Sequence, residues 1–446
     1  MNRTFDDNHA VWLEGAPADT PAPPLARDLD VDVAIIGGGY TGVSTAYHLR
    51  RRFPERRIVL LEASRIANGA SGRNGGMMLN GISFSDDPET IAREYALTRE
   101  TVDGIEALIR THGLRVRYRR DGCVHLSTTQ RAADAAQAEV ERVQKLGVPL
   151  VFSTKPDVAV HGAFGAVTDP LEGVLNGVDL LRAMRPLLEG VEIYEGTPVT
   201  RIRAGDTIEL ETAPLETAPL ETAPLETAPR ATVRAKAIVL ATSGYTPHLG
   251  YFRTGVLPVI SHVIATDPLP RDVLARLGFD KRAGFFDDLP RLAYCGVDTD
   301  GRLVFGGGAT KAYTYRFGNR TTYSATPEDA GARATREVLL RYLPELAAFP
   351  IKHRWSGPLD LSLRRFVAMG VLGKNIFYAL GYSGHGVTLA NLAGRVLTDL
   401  YSDNHAPWRD YAFYMQRPRG IPPEPFRWLG YQLISRLTGK SPFKRV

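Results

Sequence analysis

The hydrophobic pattern changes period twice within residues 31–62. Val33-Ala34-Ile35-Ile36 is an unbroken apolar run stopped by Gly37-Gly38-Gly39, which predicts a strand buried on both faces. Residues 41–51 then follow a helical spacing, and residues 57–61 return to an apolar run that closes on Glu62. Strand, glycine turn, helix and strand in that order describe a βαβ unit. A similar order recurs late in the chain. Residues 374–400 run from a short apolar strand through Gly381, Gly384 and Gly386 into a helix whose apolar positions are Val387, Leu389, Ala390, Leu392, Ala393, Val396, Leu397 and Leu400. Between these ends the pattern predicts helices over 87–113, 129–147 and 326–342, and a short strand over 122–127. Further strands are predicted over 190–203, 234–241, 259–266, 292–297 and 303–308, so the expected class is α/β, or α+β overall.

The first glycine turn carries chemistry. Gly37 lets the chain turn sharply off its strand, and Gly39, without a Cβ, lets the backbone approach a pyrophosphate at the helix N-terminus, where free N–H groups and the helix dipole favour negative charge. Gly42 lets the helix lie close to the strand. Glu62, about twenty residues on, is placed to accept hydrogen bonds from a ribose diol. An acid there disfavours a 2′-phosphate, so NADP is set aside and FAD and NAD remain. Residues 63–80, ASRIANGASGRNGGMMLN, decide between them. An NAD domain would continue its strand and helix alternation here. This segment instead has little to bury, and Ser71, Arg73, Asn74, Gly75 and Gly76 offer N–H donors, a hydroxyl and a guanidinium to wrap a ligand. A helix N-terminus at Gly384 to Val387 facing a flavin ring would stabilise negative charge on the pyrimidine edge of the reduced ring.

The segments GGGYTG, LEASRIANGASGRNGG, IVLATSGYTP, RLVFGGG, RWSG and GYSGHGVTLANLAGRVL, spread from about Asp30 to Leu400, resemble the D-amino-acid oxidase, or glycine-oxidase-like, FAD-dependent oxidoreductases. The pairing of GASGRNGG with GYSGHG is similar to the gamma-glutamylputrescine oxidoreductase branch. The resemblance implies that Gly37, Gly39, Gly42, Glu62, Ser71, Arg73, Asn74, Gly75 and Gly76 line FAD, and that Val199 meets the adenine through its backbone. It also implies that Gly381, Tyr382, Ser383, Gly384, His385, Gly386 and Val387 lie along the flavin ring. Gly244 ends another strand-to-glycine exit suited to the cofactor sheet. Relatives with a histidyl-linked flavin carry His near Arg73 and Asn74, and those with a cysteinyl link carry Cys shortly upstream of the last motif. This chain has Trp355-Ser356-Gly357 there, with Cys123 and Cys295 elsewhere, so noncovalent FAD is expected. Thr242-Ser243 stands where relatives often show Thr-Asn, and Leu175-Asn176 where the branch usually has His-Pro. The second departure is expected on the substrate side and leaves the amine unnamed.

The expected architecture is a Rossmann-like FAD-binding domain from residues 31–85, 151–244 and 351–405, with a discontinuous substrate domain, 86–150 and 245–350, built on an antiparallel sheet over the flavin. Residues 1–30, rich in Pro and Asp, read as an extended lead-in with Trp12 as an anchor. Residues 211–230, ETAPLETAPLETAPLETAPR, repeat with a period of five and a proline in every unit, which suits neither helix nor strand. A surface loop lengthened by duplication is expected there, a Pro-rich docking strip being the functional alternative. The tail, 406–446, carries Phe426, Trp428, Leu429, Tyr431, Leu433, Ile434 and Leu437 among Arg427, Arg436, Lys440, Lys444 and Arg445. That is an amphipathic, basic helix, which packs over the body or lies on an anionic membrane surface, packing being the preferred reading.

Composition narrows the setting. The 446 residues, 44% hydrophobic, suffice for one large or two medium cores. A net charge of +5 with interspersed signs and no basic stripe gives nucleic-acid binding no support. Two distant cysteines form no disulfide framework, no run reaches the ~18 apolar residues of a membrane span, and MNRTFDDNHA lacks the order of a secretion signal. A cytoplasmic enzyme without a metal site is expected.

The resemblance implies oxidation of a C–N bond in an amine or amino acid: a hydride passes from the α-carbon to flavin N5 and the imine hydrolyses to a carbonyl and ammonia or an amine. Oxygen or another acceptor takes the electrons. The protein must bind the amine neutral, orient it and keep the site dry, so no strong base is obligatory. His385 is the titratable candidate beside the flavin, or a tight-turn His donating to backbone; Tyr382 is a wall of the pocket or a packed aromatic. Tyr294, His262, Arg291 and Arg365 are further substrate-side candidates, arginines suiting a carboxylate and aromatics an amine through cation–π contact. Two alternatives are a flavin-dependent monooxygenase, which typically adds a Gly-Asp flavin motif absent here, and a non-catalytic flavoprotein.

Overall fold

The apolar runs around the first glycine turn become neighbouring strands of an eight-stranded sheet. In the computed structural model, which describes residues 10–17, 19–82, 85–213, 231–321, 330–363 and 367–438, strand Leu29–Ile36 lies between Ile58–Leu61 and Thr232–Leu240, parallel to both. Val191–Tyr194 adds a further parallel strand beyond Ile58–Leu61. The other edge of Thr232–Leu240 is divided: its first half pairs antiparallel with Ile208–Thr212 and its last part parallel with Ile376–Leu380. Helices Tyr40–Arg52 and Gly386–Tyr401, each opening at a glycine turn, pack on one another so closely that a Cβ at Gly394 would lie 2.1 Å from Ser44 Oγ.

A second, nine-stranded sheet covers the carboxyl side of this unit. Its order is Tyr313–Thr314, Leu257–Pro268, Arg302–Gly307, Ala293–Val297, Gly284–Asp287, Cys123–Ser127, Gly165–Asp169 and Val151–Ser153, with Ile351–Leu361 paired to Leu257–Pro268. Its pairings are antiparallel except the one between Gly284–Asp287 and Cys123–Ser127. One face buries Val124, Phe285, Cys295 and Phe305 with Val338 and Leu339 of helix Ala330–Tyr342. This pairing moves domain boundaries. Val151–Ser153, Gly165–Asp169 and Ile351–Leu361, expected in the cofactor domain, belong to the second sheet. Short apolar strands read alike whichever sheet receives them, because their burial is decided by partners distant in sequence.

The strand expected over 190–203 is broken into Val191–Tyr194 and Val199–Arg203. Between them Glu195 turns inward and accepts from Ala22 N and Ile66 N, both at 2.6 Å, and from Arg185 at 2.9 Å. The lead-in is anchored by buried Trp12, whose Nε1 donates to the Asn74 carbonyl at 2.7 Å. Asn176 donates to the Trp12 carbonyl at 2.9 Å and caps helix Gly177–Ala183 by accepting from Val178 N and Asp179 N. The Leu175-Asn176 departure, expected to bear on substrate, is therefore occupied with structure: Leu175 is fully buried and the Asn176 side chain is spent on the cap and the lead-in. The repeat beyond Ala213, Arg365, and Lys440, Lys444 and Arg445 lie outside the described residues.

Candidate active site

At Gly37 and Gly42 the first turn tolerates only glycine for steric reasons. A Cβ at Gly37, whose φ is +107°, would meet the Ala241 carbonyl oxygen at 2.5 Å, and one at Gly42 would meet the Gly37 carbonyl oxygen at 1.8 Å. At Gly39 it would come within 2.8 Å of Ser71 Oγ, which accepts from Tyr40 N at 3.0 Å. Glu62 accepts from Gly38 N at 2.6 Å and Ser64 N at 2.8 Å, and burial pushes its carboxyl up to about 7. Thr197 N donates to the Glu62 carbonyl at 2.9 Å, which brings the start of the strand at Val199 beside the acid. The Ser71–Gly76 loop holds itself: Asn74 Nδ2 donates to the Ala70 and Ser71 carbonyls, and its Oδ1 accepts from Gly76 N at 2.7 Å. Buried Arg73 donates from Nε to the Asn68 carbonyl at 2.8 Å, and its own carbonyl accepts from Trp355 Nε1 at 2.9 Å. Side-chain-free backbone at a helix N-terminus, with an acid at the next strand end, fits an extended dinucleotide.

The second turn is tied to the first. Gly381, Ser383 and Gly384 adopt φ of +80°, +51° and +107°. Asp360, buried in strand Ile351–Leu361, accepts from Gly381 N at 2.7 Å, and its backbone carbonyl accepts from Ser383 N at 3.2 Å. Burial raises its carboxyl to about 6. The Tyr382 hydroxyl lies 2.6 Å from Thr41 Oγ1, in the first turn of helix Tyr40–Arg52, so this ring joins the two glycine turns. His385 stands at the N-cap of helix Gly386–Tyr401, with Gly386 and buried Val387 following. Burial, aided by the charge of His125, pushes its imidazole down to about 4, so it is neutral at pH 7. Gly244 packs against strand Ile351–Leu361, where a Cβ would sit 3.5 Å from the Leu359 carbonyl oxygen.

The register of the second sheet places a row of side chains over these turns. Val167, His125, Phe286, Tyr294, Gly306, Val263 and Trp355 are successive cross-strand partners, so they share one face. That face meets the cofactor loop, because the Tyr294 ring fills the space where a Cβ of Gly75 would lie, 2.6 Å away. Burial holds the Tyr294 phenol up at about 12, and its hydroxyl is 3.3 Å from Ser261 Oγ. The rings of Phe286 and His125 are 4.1 Å apart, and His125 Nε2 lies 2.7 Å from Glu172 Oε2. Burial opposes a charge on His125, but the Glu172 carboxylate outweighs it and holds the imidazole above its ordinary value. Arg291 lies near Tyr313 and Tyr431, its buried Nε without a hydrogen-bond partner among the described residues.

One expectation changes and another falls outside the described residues. His262 is on the opposite face of its strand from Ser261 and Val263, with its ring 2.5 Å from where a Cβ of Gly331 would stand, so it packs against helix Ala330–Tyr342 and not over the turns. Arg365 cannot be placed, lying outside the described residues. Conversely, His125, Glu172, Phe286 and Asp360 were not singled out by sequence. The visible signal for His125 was a polar residue on one face of the run Cys123–Ser127, opposite Val124 and Leu126.

Comparison with known proteins agrees with this geometry. Residues 32–400 match the family described as DAO, FAD dependent oxidoreductase. The gamma-glutamylputrescine oxidoreductase of Escherichia coli strain K12 is 32% identical over 410 residues, 86% of each chain. The crystal structure of glycine oxidase from Geobacillus kaustophilus superposes with a TM-score of 0.69 at 21% identity, covering 88% of this chain and all 100% of that one. The L-proline dehydrogenase of P. horikoshii superposes with a TM-score of 0.65 at 18% identity over 84% of this chain and 94% of its own. The chain belongs to the FAD-dependent oxidoreductases of the DAO family, an enzyme class that uses FAD. Among the described residues no helix is long and apolar enough to cross a membrane.

Proposed function

We propose that the protein oxidises the C–N bond of an amine that also carries a carboxylate, an amino acid in the broad sense, with noncovalent FAD, in the cytoplasm. The observation that carries this reading is the sheet face turned toward the Arg73–Gly76 loop. It presents the Phe286 and Tyr294 rings, with Arg291 near the adjoining Tyr313 and the His125–Glu172 pair beside Phe286. FAD supplies the acceptor for a hydride from the nitrogen-bearing carbon, the imine then hydrolysing in water. Gly37 to Gly42, Glu62 and the Ser71–Gly76 loop would hold the cofactor, and residues 381–387 its ring end.

The remaining work falls to side chains. Arg291 suits the carboxylate, its Nε being a buried donor without a partner among the described residues. Phe286 and Tyr294 exclude water and offer π faces to the amine. His385, neutral at pH 7, opposes no ammonium group. Cys123 and Cys295 are buried in the second sheet, and Cys295 packs in the core on the face away from the turns, which supports a noncovalent cofactor.

The test is an anaerobic titration of the yellow holoenzyme with D- and L-amino acids, N-methyl amino acids and polyamine derivatives, each beside its analogue lacking the carboxylate. Carboxylate-bearing amines should bleach the flavin band, and Arg291→Met should raise their half-saturation about tenfold or more, as loss of a charge-assisted hydrogen bond predicts. Equal bleaching by the carboxylate-free analogues would remove Arg291 from its role. A flavin that none of the panel bleaches would sink amine oxidation itself. Readmission of air then distinguishes oxygen from another acceptor.

A further inference from the structure

Helix Phe426–Thr438 faces the wrong way for an ordinary surface helix. It is fastened to the body by residues spaced four apart. Arg427 donates from Nε to the Pro422 carbonyl at 2.9 Å and from Nη1 to Asn319 Oδ1 at 2.7 Å, the Tyr431 hydroxyl donates to the Tyr313 carbonyl at 2.9 Å, and Ser435 is buried. The opposite face is apolar: Phe426, Leu429, Leu433, Ile434 and Leu437 stand outward, from 52% exposed at Leu429 to 70% at Leu437. Amphipathic helices of globular proteins normally turn that stripe inward.

Two neighbouring segments extend the same surface. Exposed Phe317 sits beside Gly318, whose N–H donates to Glu424 just ahead of the helix at 3.0 Å. Exposed Leu363 lies 3.3 Å from where a Cβ of Gly420 would stand. Basic side chains frame these groups. Arg316, Arg320, Arg417, Arg419 and Arg436 are exposed, and the single acid within 315–320 and 417–438, Glu424, is spent on Tyr315 and Gly318.

We propose that this face docks the holoenzyme on an anionic lipid surface, the apolar side chains entering the headgroup boundary and the arginines meeting lipid phosphates. A large apolar area ringed by one sign of charge is what such a surface requires. A second copy meeting this face symmetrically would set its basic residues against themselves. The inference is independent of the substrate reading, since no residue of the face is assigned to cofactor or amine.

Flotation of the full-length holoenzyme with vesicles of phosphatidylcholine, alone and mixed with phosphatidylglycerol, tests it. The protein should float with the anionic vesicles only, and added salt should weaken the binding. The double variant Leu433→Glu, Leu437→Glu, changing exposed positions only, should lose roughly tenfold or more of the binding while its flavin spectrum and melting temperature stay the same. Failure of the native protein to float with anionic vesicles overturns the proposal. So does light scattering that shows a dimer which the double variant breaks.

Discussion

Protonation of Glu62 should set the acid limit of cofactor binding. Its carboxyl, with an ordinary value of 4.5, is held at about 7 by burial despite the two backbone N–H groups it accepts. A ribose diol donating to it favours the ionised form, so binding must expel the proton wherever the free protein holds one. If the bound form ionises below about pH 5, affinity at pH 5 should fall about a hundredfold from its value at pH 8, near 2.7 kcal/mol at 1.36 kcal/mol per unit. The sign for the cofactor-free fold is the reverse: its carboxyl holds the proton above the unfolded value, so its stability contribution is full at acid pH and is lost as pH rises through about 7. Quenching of FAD fluorescence by apoprotein across that range measures the constant. Asp360, at about 6, and His385, at about 4, titrate at the second glycine turn, so Glu62→Gln is the decisive control. It should flatten the profile. A native constant that moves less than about threefold, or a Glu62→Gln protein that keeps the full dependence, refutes the reasoning.

Other perturbations follow from the same contacts. Gly42→Ala forces a methyl to 1.8 Å from a backbone oxygen, so the purified protein should be colourless or insoluble; a normal ratio of flavin to protein absorbance would contradict this. Trp12→Ala removes a buried ring and its bond to Asn74, and should cost about 3–5 kcal/mol in urea unfolding while loosening FAD. Tyr382→Phe should cost roughly 1–3 kcal/mol by leaving Thr41 without its partner, yet keep most of kcat; a hundredfold fall in kcat at unchanged stability would make that hydroxyl catalytic. Deleting three of the repeat units should leave melting temperature and kcat/KM unchanged, and a loss of either would assign the repeat a role.

The glycine-turn part of the candidate site was legible because its signals are local. Gly37, Gly39, Gly42 and Glu62 lie within one βαβ unit, and backbone geometry admits few residues at each place. On the facing sheet only Tyr294 was legible; His125 and Phe286 were not, since the three come from separated stretches and meet only through strand register. Alternation places His125 on the face opposite Val124, but not which face will meet the glycine turns. His262 shows the converse: a histidine in a strand of the right sheet, turned the wrong way by one residue. Ile351–Leu361, expected within the cofactor domain, pairs in the second sheet for the same reason, its ten register partners in Leu257–Pro268 lying far upstream.

Strand Thr232–Leu240 separates the start of the repeat from the first glycine turn by its whole length. Leu240 leads to Ala241, under the first glycine turn, whereas Thr232 pairs with Glu211, where the repeat begins. Nine residues, eight rises of about 3.3 Å, put roughly 26 Å between those ends. The repeat therefore begins at the end of this strand that is far from the first glycine turn. If the deletion of repeat units leaves stability and turnover unchanged, unit number is free to drift by replication slippage, and the same place can take a grafted tag or surface tether.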